Sequence, residues 1–292
     1  MSAAGELVVR VGDECETGGA LDLRDQRIDP ERLVGAIRDE SAVDRGEPED
    51  GATKPDVDCA PPRPVHDHVG WVRPSMTLRV RTALAAAARS RGGEAPQDDD
   101  LAEVRERLTD LTVPSPPDVE GPRERLAGTD AAVDRIRERV AALRGRVQAG
   151  REAGRDVSDL EAELVEATRE LSERETERAA AREALERAER QARKSRDARE
   201  RRRRLEDRRA NLERRARAHL VERIRGEYET AVETVPGAPA GAADDPFDVD
   251  GPTAALAVGR VAALRAPVVL ACDRFETVDA AAEWLGAPVV RV

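Results

Sequence analysis

Hydrophobic residues recur at helical spacing through the middle of the chain. From residue 133 they lie three and four positions apart, and the same spacing resumes beyond residue 157. Alternating steps of three and four are typical of the apolar seam between two coiled-coil helices. We therefore predict two helices that bury a common seam. Its members are Val133, Ile136, Val140, Leu143, Leu160, Leu164 and Leu171.

Gly150 and Gly154 separate the two halves of this seam and favour a tight turn between the helices. A bend near residue 152 places residues 133–147 opposite 157–171, so that the chain folds back on itself. The sequence thus predicts a mostly α-helical protein with a long antiparallel coiled-coil hairpin. Two chains could instead exchange arms, so a monomer and an arm-exchanged dimer both stay open.

Both ends of the chain carry β-like segments. Apolar runs at 6–11 and 20–25 predict two strands of a hairpin joined by a turn over 12–19. The last forty residues alternate as α-β-α-β, which is the order of a small α/β module. Because both hairpin arms return to the same end, we expect the N-terminal strands to join the C-terminal sheet. The hairpin would then be inserted in, or attached to, one small α/β head.

Proline and glycine set the predicted boundaries, and Ser75 is expected to cap a helix that begins at Met76. The parts are an N-terminal β/α part of the head (1–40), a mobile linker (41–64), a strand-like segment (65–75), an ascending helical arm (76–148) with a proline break (113–122), a hairpin tip (149–156), a long descending helix (157–234), a second linker (235–251) and a C-terminal αβαβ part of the head (252–292).

Charge changes the picture of the surface. The chain has 60 Asp and Glu against 49 Lys and Arg, and only two of those 49 are lysines. An acidic surface with arginine in place of lysine resembles the proteins of extremely halophilic archaea, whose salt screens the repulsion between carboxylates. Together with the seam, the composition resembles an uncharacterised haloarchaeal coiled-coil family. That resemblance implies a halophilic protein and assigns a role to no residue.

Three cysteines far apart in sequence, Cys15, Cys59 and Cys272, do not form a disulfide framework, so a reducing cytoplasm is expected. The first residues lack the basic and apolar regions of a signal peptide. The most apolar stretch, 253–272, includes Arg260 and Arg265 and is too charged to cross a bilayer. We therefore expect no membrane partner.

Arginine is concentrated in residues 189–217, where the local charge is +8. Such a basic helix could follow the phosphates of a nucleic acid. The alternative is that the run is paired within the hairpin, because the predicted register places it beside Asp98–Asp100 and Glu103. The candidate nucleic-acid contacts are Arg201, Arg202, Arg203, Arg204, Arg208 and Arg209.

Two further groups of residues invite a chemical role. Asp273 follows a buried strand, and ligands of open α/β sheets gather at the carboxyl ends of strands. The alternative is that Asp273 is a solvated residue of a βα turn. Cys59, His66 and His68 are zinc-ligand types, with the two histidines expected to alternate along a strand, but a fourth ligand is missing. We therefore predict no metal and no cofactor.

Motifs of the common enzyme classes do not occur in the sequence. The hairpin weakly resembles the chromosome-maintenance and repair ATPases with long coiled coils, but the P-loop that those enzymes need is absent. The sequence therefore favours a non-enzymatic scaffold or spacer that binds an unknown protein partner. The alternatives are a nucleic-acid-associated protein that uses the arginine-rich helix and a divergent enzyme with its site near Asp273.

Overall fold

A computed structural model of the 292-residue chain describes residues 7–12, 14–26, 28–38, 55–238 and 245–292. Two compact units make up the chain. The mixed unit consists of Met1–Ala102 and Ala210–Val292, and the helical unit consists of Glu103–Arg209. The described part is mostly helical and its sheets are small, as the sequence predicted in outline.

Helices and strands alternate at both ends of the chain, whereas the middle is helical. The strands are β1 (Leu7–Val11), β2 (Glu14–Gly18), β3 (Ala20–Asp22), β4 (Asp56–Asp58), β5 (Trp71–Val72), β6 (Val268–Leu270) and β7 (Val289–Arg291). The helices are α1 (Pro30–Ile37), α2 (His66–Val69), α3 (Val80–Ser90), α4 (Asp98–Asp110), α5 (Glu120–Glu152), α6 (Ser158–Glu233), α7 (Gly251–Val261) and α8 (Val278–Leu285).

A parallel sheet of four strands, in the order β3-β7-β6-β5, forms the centre of the mixed unit. Strand β3 comes from the start of the chain and pairs with β7 from its end, with Leu21 opposite Val290. The two ends of the chain therefore share one sheet, as the α/β order led us to expect. The second sheet is antiparallel and has the order β2-β1-β4.

Both faces of the parallel sheet are covered, because parallel strands are apolar on both sides. Leu270 and Val289 are buried in one cluster with residues of α3, α7, α8 and the last turns of α6. Val269 and Val290 point the opposite way and are buried with α1. The result is a layer of helices on one face and α1 with the antiparallel sheet on the other.

Several predicted boundaries of the mixed unit need correction. Val11 pairs with Glu14, so β2 is the second strand of the N-terminal hairpin and the 20–25 run instead supplies β3 to the parallel sheet. Residues 55–64 of the predicted linker 41–64 include β4, which pairs with β1. The rest of that linker prediction lies outside the described residues, as do residues 239–244 of the linker 235–251.

The predicted strand-like segment 65–75 begins instead as the helical turn α2 and contains only the two-residue strand β5. Helix α3 begins at Val80 rather than at Met76. The reason is a close approach between backbones, since any side chain at Gly251 would overlap the carbonyl oxygen of Met76. Residues 76–79 therefore pass the start of α7 before the helix can form.

The helical unit contains α5 and most of α6, which contact each other along the apolar positions named above. Ile136, Val140 and Leu143 of α5 are buried against Ala167 of α6. Leu160, Leu164 and Leu171 are half-buried and pack on the same cluster. The break before α5 spans residues 111–119, because α4 ends at Asp110 and α5 begins at Glu120.

Ion pairs between α5 and α6 report how the two helices are aligned. Arg137 pairs with Glu175 at 2.6 Å, and Asp130 pairs with Arg178 at 2.6 Å. Residue numbers therefore fall on one helix as they rise on the other, and the midpoint of the pairs lies near residue 155 rather than 152. The shift arises because α5 continues to Glu152 and α6 starts only at Ser158.

The turn between α5 and α6 follows from its glycines. Gly154 has a φ of 66°, the left-handed conformation that glycine adopts without a steric cost. The Arg155 amide donates to the carbonyl oxygen of Gly150 at 3.0 Å, which is the bond of a Schellman motif. The Asp156 side chain then accepts a hydrogen bond from the amide of Ser158 at 3.0 Å, at the start of α6.

Candidate functional site

Arg291 is a buried cation at the carboxyl end of strand β7. Its side chain is only 7 % exposed and its neighbours in the parallel sheet are Leu270 and Asp22. A buried guanidinium needs partners for its donors, since a charge without them is costly to remove from water. Arg291 therefore marks the edge of the sheet at which ligands of α/β folds commonly bind.

The partners of Arg291 all come from the loop that follows β6. Its guanidinium donates to the carboxylate of Asp273 at 2.8 Å and to the carbonyl oxygens of Phe275 at 3.1 Å and Glu276 at 3.3 Å. The Asp273 side chain is 92 % exposed. The structure thus places Asp273 at the predicted sheet edge, where it is one of three acceptors that hold Arg291.

A second ion pair lies on the neighbouring strand. Arg24 binds both carboxylate oxygens of Asp22, with its Nε 2.9 Å from Oδ1 and its Nη2 2.6 Å from Oδ2. This hydrogen-bonded fork lowers the pKa of the Asp22 carboxyl, and the charge of Arg291 acts in the same direction. The two arginines and two aspartates therefore balance one another along the sheet edge.

Cys272 lies beside these charges but is not activated by them. Burial raises the pKa of its thiol, although the Arg274 amide and the nearby arginines oppose that change. A thiol that stays protonated is a poor nucleophile. The sheet edge therefore holds the loop after β6, and Arg291 already makes three hydrogen bonds to that loop.

His66 is buried in α2 and bridges two parts of the mixed unit. Its Nε2 lies 2.7 Å from the carbonyl oxygen of Ala266, and its Nδ1 accepts from the Arg63 amide at 3.4 Å. Burial lowers the pKa of His66, although both hydrogen bonds oppose that effect. A neutral ring with Nε2 protonated satisfies both contacts.

The zinc-ligand types of the sequence do not converge. His66 and His68 lie on the helical turn α2 rather than on a strand, and Cys59 has a thiol pKa that burial raises. Within the described residues, no three His, Cys, Asp or Glu side chains are grouped closely enough to hold a metal ion. No described helix is both long enough and apolar enough to span a membrane.

The arginine-rich part of α6 is exposed and is partly paired along its own helix. Arg202 pairs with Glu206 at 2.9 Å, and Arg204 pairs with Glu200 at 3.0 Å. Arg201 and Arg203 form no ion pair with any residue that the structure describes.

Two of the acidic residues that were expected beside this run form ion pairs with other arginines. Asp98 pairs with Arg89 at 2.6 Å, and Glu103 pairs with Arg107 at 3.4 Å on its own helix. Arg208 and Arg209 each have a partner in the structure. The predicted arginine set is thus divided between paired side chains and exposed, unpaired ones.

Sequence reasoning missed Arg291 and the partners of His66. The available signal for Arg291 was its position as a charged residue in the otherwise apolar run Pro288–Val292. An arginine in a buried strand needs hydrogen-bond acceptors close to its guanidinium. The bond from His66 to Ala266 joins residues 200 positions apart. Local periodicity carries no information about a contact of that kind.

Comparison with known proteins supplies a family and no activity. Residues 18–289 match the family of unknown function DUF7856, so the chain belongs to that family. The match covers parts of both units, including Asp273 and the arginine-rich helix, and ends two residues before Arg291. No curated protein and no solved structure matches the chain.

Proposed function

We propose that the protein is a structural or interaction protein built on an antiparallel coiled-coil hairpin. In this proposal the helical unit acts as a spacer or docking arm, and the mixed unit holds a protein partner. The observation that carries it is the contact between α5 and α6, where an apolar cluster is flanked by ion pairs from one helix to the other. At 1.5 Å per residue, the part of α6 that belongs to the helical unit, residues 158–209, has a length of about 78 Å.

Helix-to-helix ion pairs support a defined alignment rather than a loose association. Besides the pairs already described, Arg139 lies 3.7 Å from Glu170 and Arg151 lies 2.6 Å from Glu161. Each exposed pair contributes little stability by itself. Their arrangement nevertheless favours one register, because a shifted register would separate the partners.

Composition supports a cytoplasm of high salt as the setting for this role. The net charge is −11, and nearly all of the positive charges are arginines, which hold carboxylates in planar forks. In this proposal the thermal midpoint of the purified protein rises when KCl is increased from 0.1 M to molar concentration. An unchanged or lower midpoint would contradict it.

A matched pair of neighbouring residues tests the docking role. Leu164 is half-buried in the contact between α5 and α6, whereas the next residue, Val165, is 70 % exposed. Tagged wild type, Leu164→Asp and Val165→Asp are compared in pull-downs from a high-salt extract of the native host. We expect Val165→Asp to retain the wild-type partner and Leu164→Asp to lose it.

The result is interpreted together with circular dichroism of the same samples. Recovery of the same partner by a Leu164→Asp protein whose helicity has fallen would overturn the docking role. Loss of the partner with unchanged helicity would place the binding surface on Leu164 itself. That outcome too would contradict a role based on the geometry of the arm.

A further inference from the structure

We propose that an exposed basic surface on α6 binds the phosphate backbone of double-stranded nucleic acid. The surface is one side of α6 between residues 193 and 203, where the arginines are exposed and form no ion pair within the described chain. They are Arg193, Arg196, Arg199 and Arg203. This inference does not rest on the proposed docking role.

The break between α4 and α5 explains why this surface meets no carboxylate from the stretch of chain that lies against it. The Ser195 side chain is fully buried, and its hydroxyl donates to the carbonyl oxygen of Pro114 at 2.8 Å. The chain that lies against α6 at this point is therefore the non-helical stretch 111–117, which contains no charged residue. Where α5 itself lies against α6, an α6 arginine can meet a carboxylate of the facing helix, as Arg178 meets Asp130.

Hydrogen bonds inside the surface leave most of its donors available. Arg199 donates to the Ser195 hydroxyl at 2.8 Å, and Arg196 reaches the carbonyl oxygen of Ala192 at 3.4 Å. A guanidinium has five N–H donors, so each of these arginines retains several for an external acceptor. Arg196, Asp197, Arg199, Glu200 and Arg203 also line a shallow open depression on the helix.

Spacing along the helix suits a phosphate backbone. Arg196 and Arg203 are seven residues apart, a rise of about 10.5 Å along α6. A strand of duplex DNA advances by about 3.4 Å per phosphate, so this distance spans about three phosphates. Arg199 lies between them on the same side of the helix, and an arginine fork binds two phosphate oxygens at once.

The chemistry of the surface favours a duplex over a single strand or a protein. Residues 103–209 contain no aromatic side chain on which an unpaired base could stack. Protein interfaces depend on apolar or aromatic anchors. Among the described residues of the chain, Val165 is the one large hydrophobic side chain that is exposed, and it lies outside the surface.

Fluorescence anisotropy with a labelled duplex of about 25 base pairs tests the inference with the full-length chain. The surface variant combines Arg193→Gln, Arg196→Gln and Arg203→Gln. The control removes three exposed arginines of α5, by Arg135→Gln, Arg144→Gln and Arg146→Gln. All six positions are exposed, and circular dichroism verifies that helicity is unchanged.

At about 0.1 M salt we expect the surface variant to bind at least tenfold more weakly than wild type, because affinity follows the number of neutralised phosphates. The slope of log K against log salt should fall by about 2 to 3, at roughly 0.9 per lost contact. The control should keep a slope close to that of wild type. Equal losses in the two variants, or no binding by wild type at low salt, would overturn the proposal.

Two competitors distinguish a duplex from the two other possible partners, a single strand and an acidic protein segment. We expect a single strand of the same length to bind more weakly than the duplex, and polyglutamate at equal charge to displace the duplex poorly. Tighter binding of the single strand would contradict duplex recognition. Equal displacement by polyglutamate would show that the surface binds acidic protein segments, a second copy of this acidic chain included, and would overturn the assignment to nucleic acid.

Discussion

Val157 lies directly against the backbone of Gly150. A Cβ atom added at Gly150 would come within 2.5 Å of the Val157 Cγ1 atom. Glycine in a helix normally costs about 0.5–1 kcal/mol relative to alanine, so replacement by alanine usually stabilises. At this position we expect Gly150→Ala to destabilise the helical unit, because the turn cannot close without moving Val157. Thermal melting followed by circular dichroism measures the change.

Gly145 supplies the control in the same helix, since a Cβ added there meets no atom within 4 Å. Gly145→Ala should therefore raise stability by about 0.5–1 kcal/mol. Combining Gly150→Ala with Val157→Ala should recover most of the loss. Equal stabilisation by both glycine replacements would contradict the contact between Gly150 and Val157.

The half-buried Leu164 should be sensitive to charge. Leu164→Asp places a carboxylate beside the apolar cluster, and we expect a loss of about 2–4 kcal/mol, in the range of large core truncations. The adjacent change Val165→Asp affects an exposed side chain and should alter stability by less than about 0.5 kcal/mol. Urea unfolding of both variants, followed by circular dichroism, measures the difference. Similar midpoints would contradict the packing of Leu164.

Arg291 should matter far more to stability than the carboxylate that it binds. Arg291→Leu leaves the carbonyl oxygens of Phe275 and Glu276 without their donor, which should cost about 2–4 kcal/mol. Asp273→Asn changes a largely exposed side chain and should cost less than about 1 kcal/mol. Urea unfolding compares the two variants. A larger effect at Asp273 would indicate a role for its charge beyond this loop.

His66 predicts a dependence of stability on pH. Because burial lowers its pKa in the folded protein, the unfolded chain binds the proton more readily. The contribution of neutral His66 is therefore complete above the ordinary value of 6.5 and is lost as pH falls from there through the lower folded value. Urea midpoints between pH 7.5 and 5 should fall for wild type and change less for His66→Gln. Parallel curves for the two proteins would contradict the assignment.

Periodic features of the fold were predictable, and those that depend on long-range contacts were not. The spacing from Val133 onward predicted apolar faces on α5 and α6. The predicted start of α3 at Met76 was wrong because the true start depends on the close approach of Met76 to Gly251, and these two residues are far apart in sequence. The local pattern also predicted a strand at His68, which lies in α2. The strand β5 is limited to Trp71–Val72, the two residues that pair with β6.

The candidate sites divide in the same way. Asp273 could be named in advance because it follows a buried strand, but its partner Arg291 lies 18 residues further along the chain. For the arginine-rich helix, composition showed the excess of charge. The arginines near Ser195 remain unpaired because an uncharged stretch of the chain lies beside them. The sequence does not show this, because it depends on the contact between Ser195 and Pro114, 81 residues apart.

The proposed hairpin requires that α5 and α6 pack against each other within one chain. Spin labels at residues 138 and 174, both exposed, test it in a chain whose three cysteines are replaced by alanine and which is diluted with unlabelled protein. Helices packed about 8–10 Å apart should give a distance below about 30 Å between the labels. A continuous helix between these positions would give about 54 Å. A long distance, or a short one that disappears on dilution, would contradict the intramolecular hairpin.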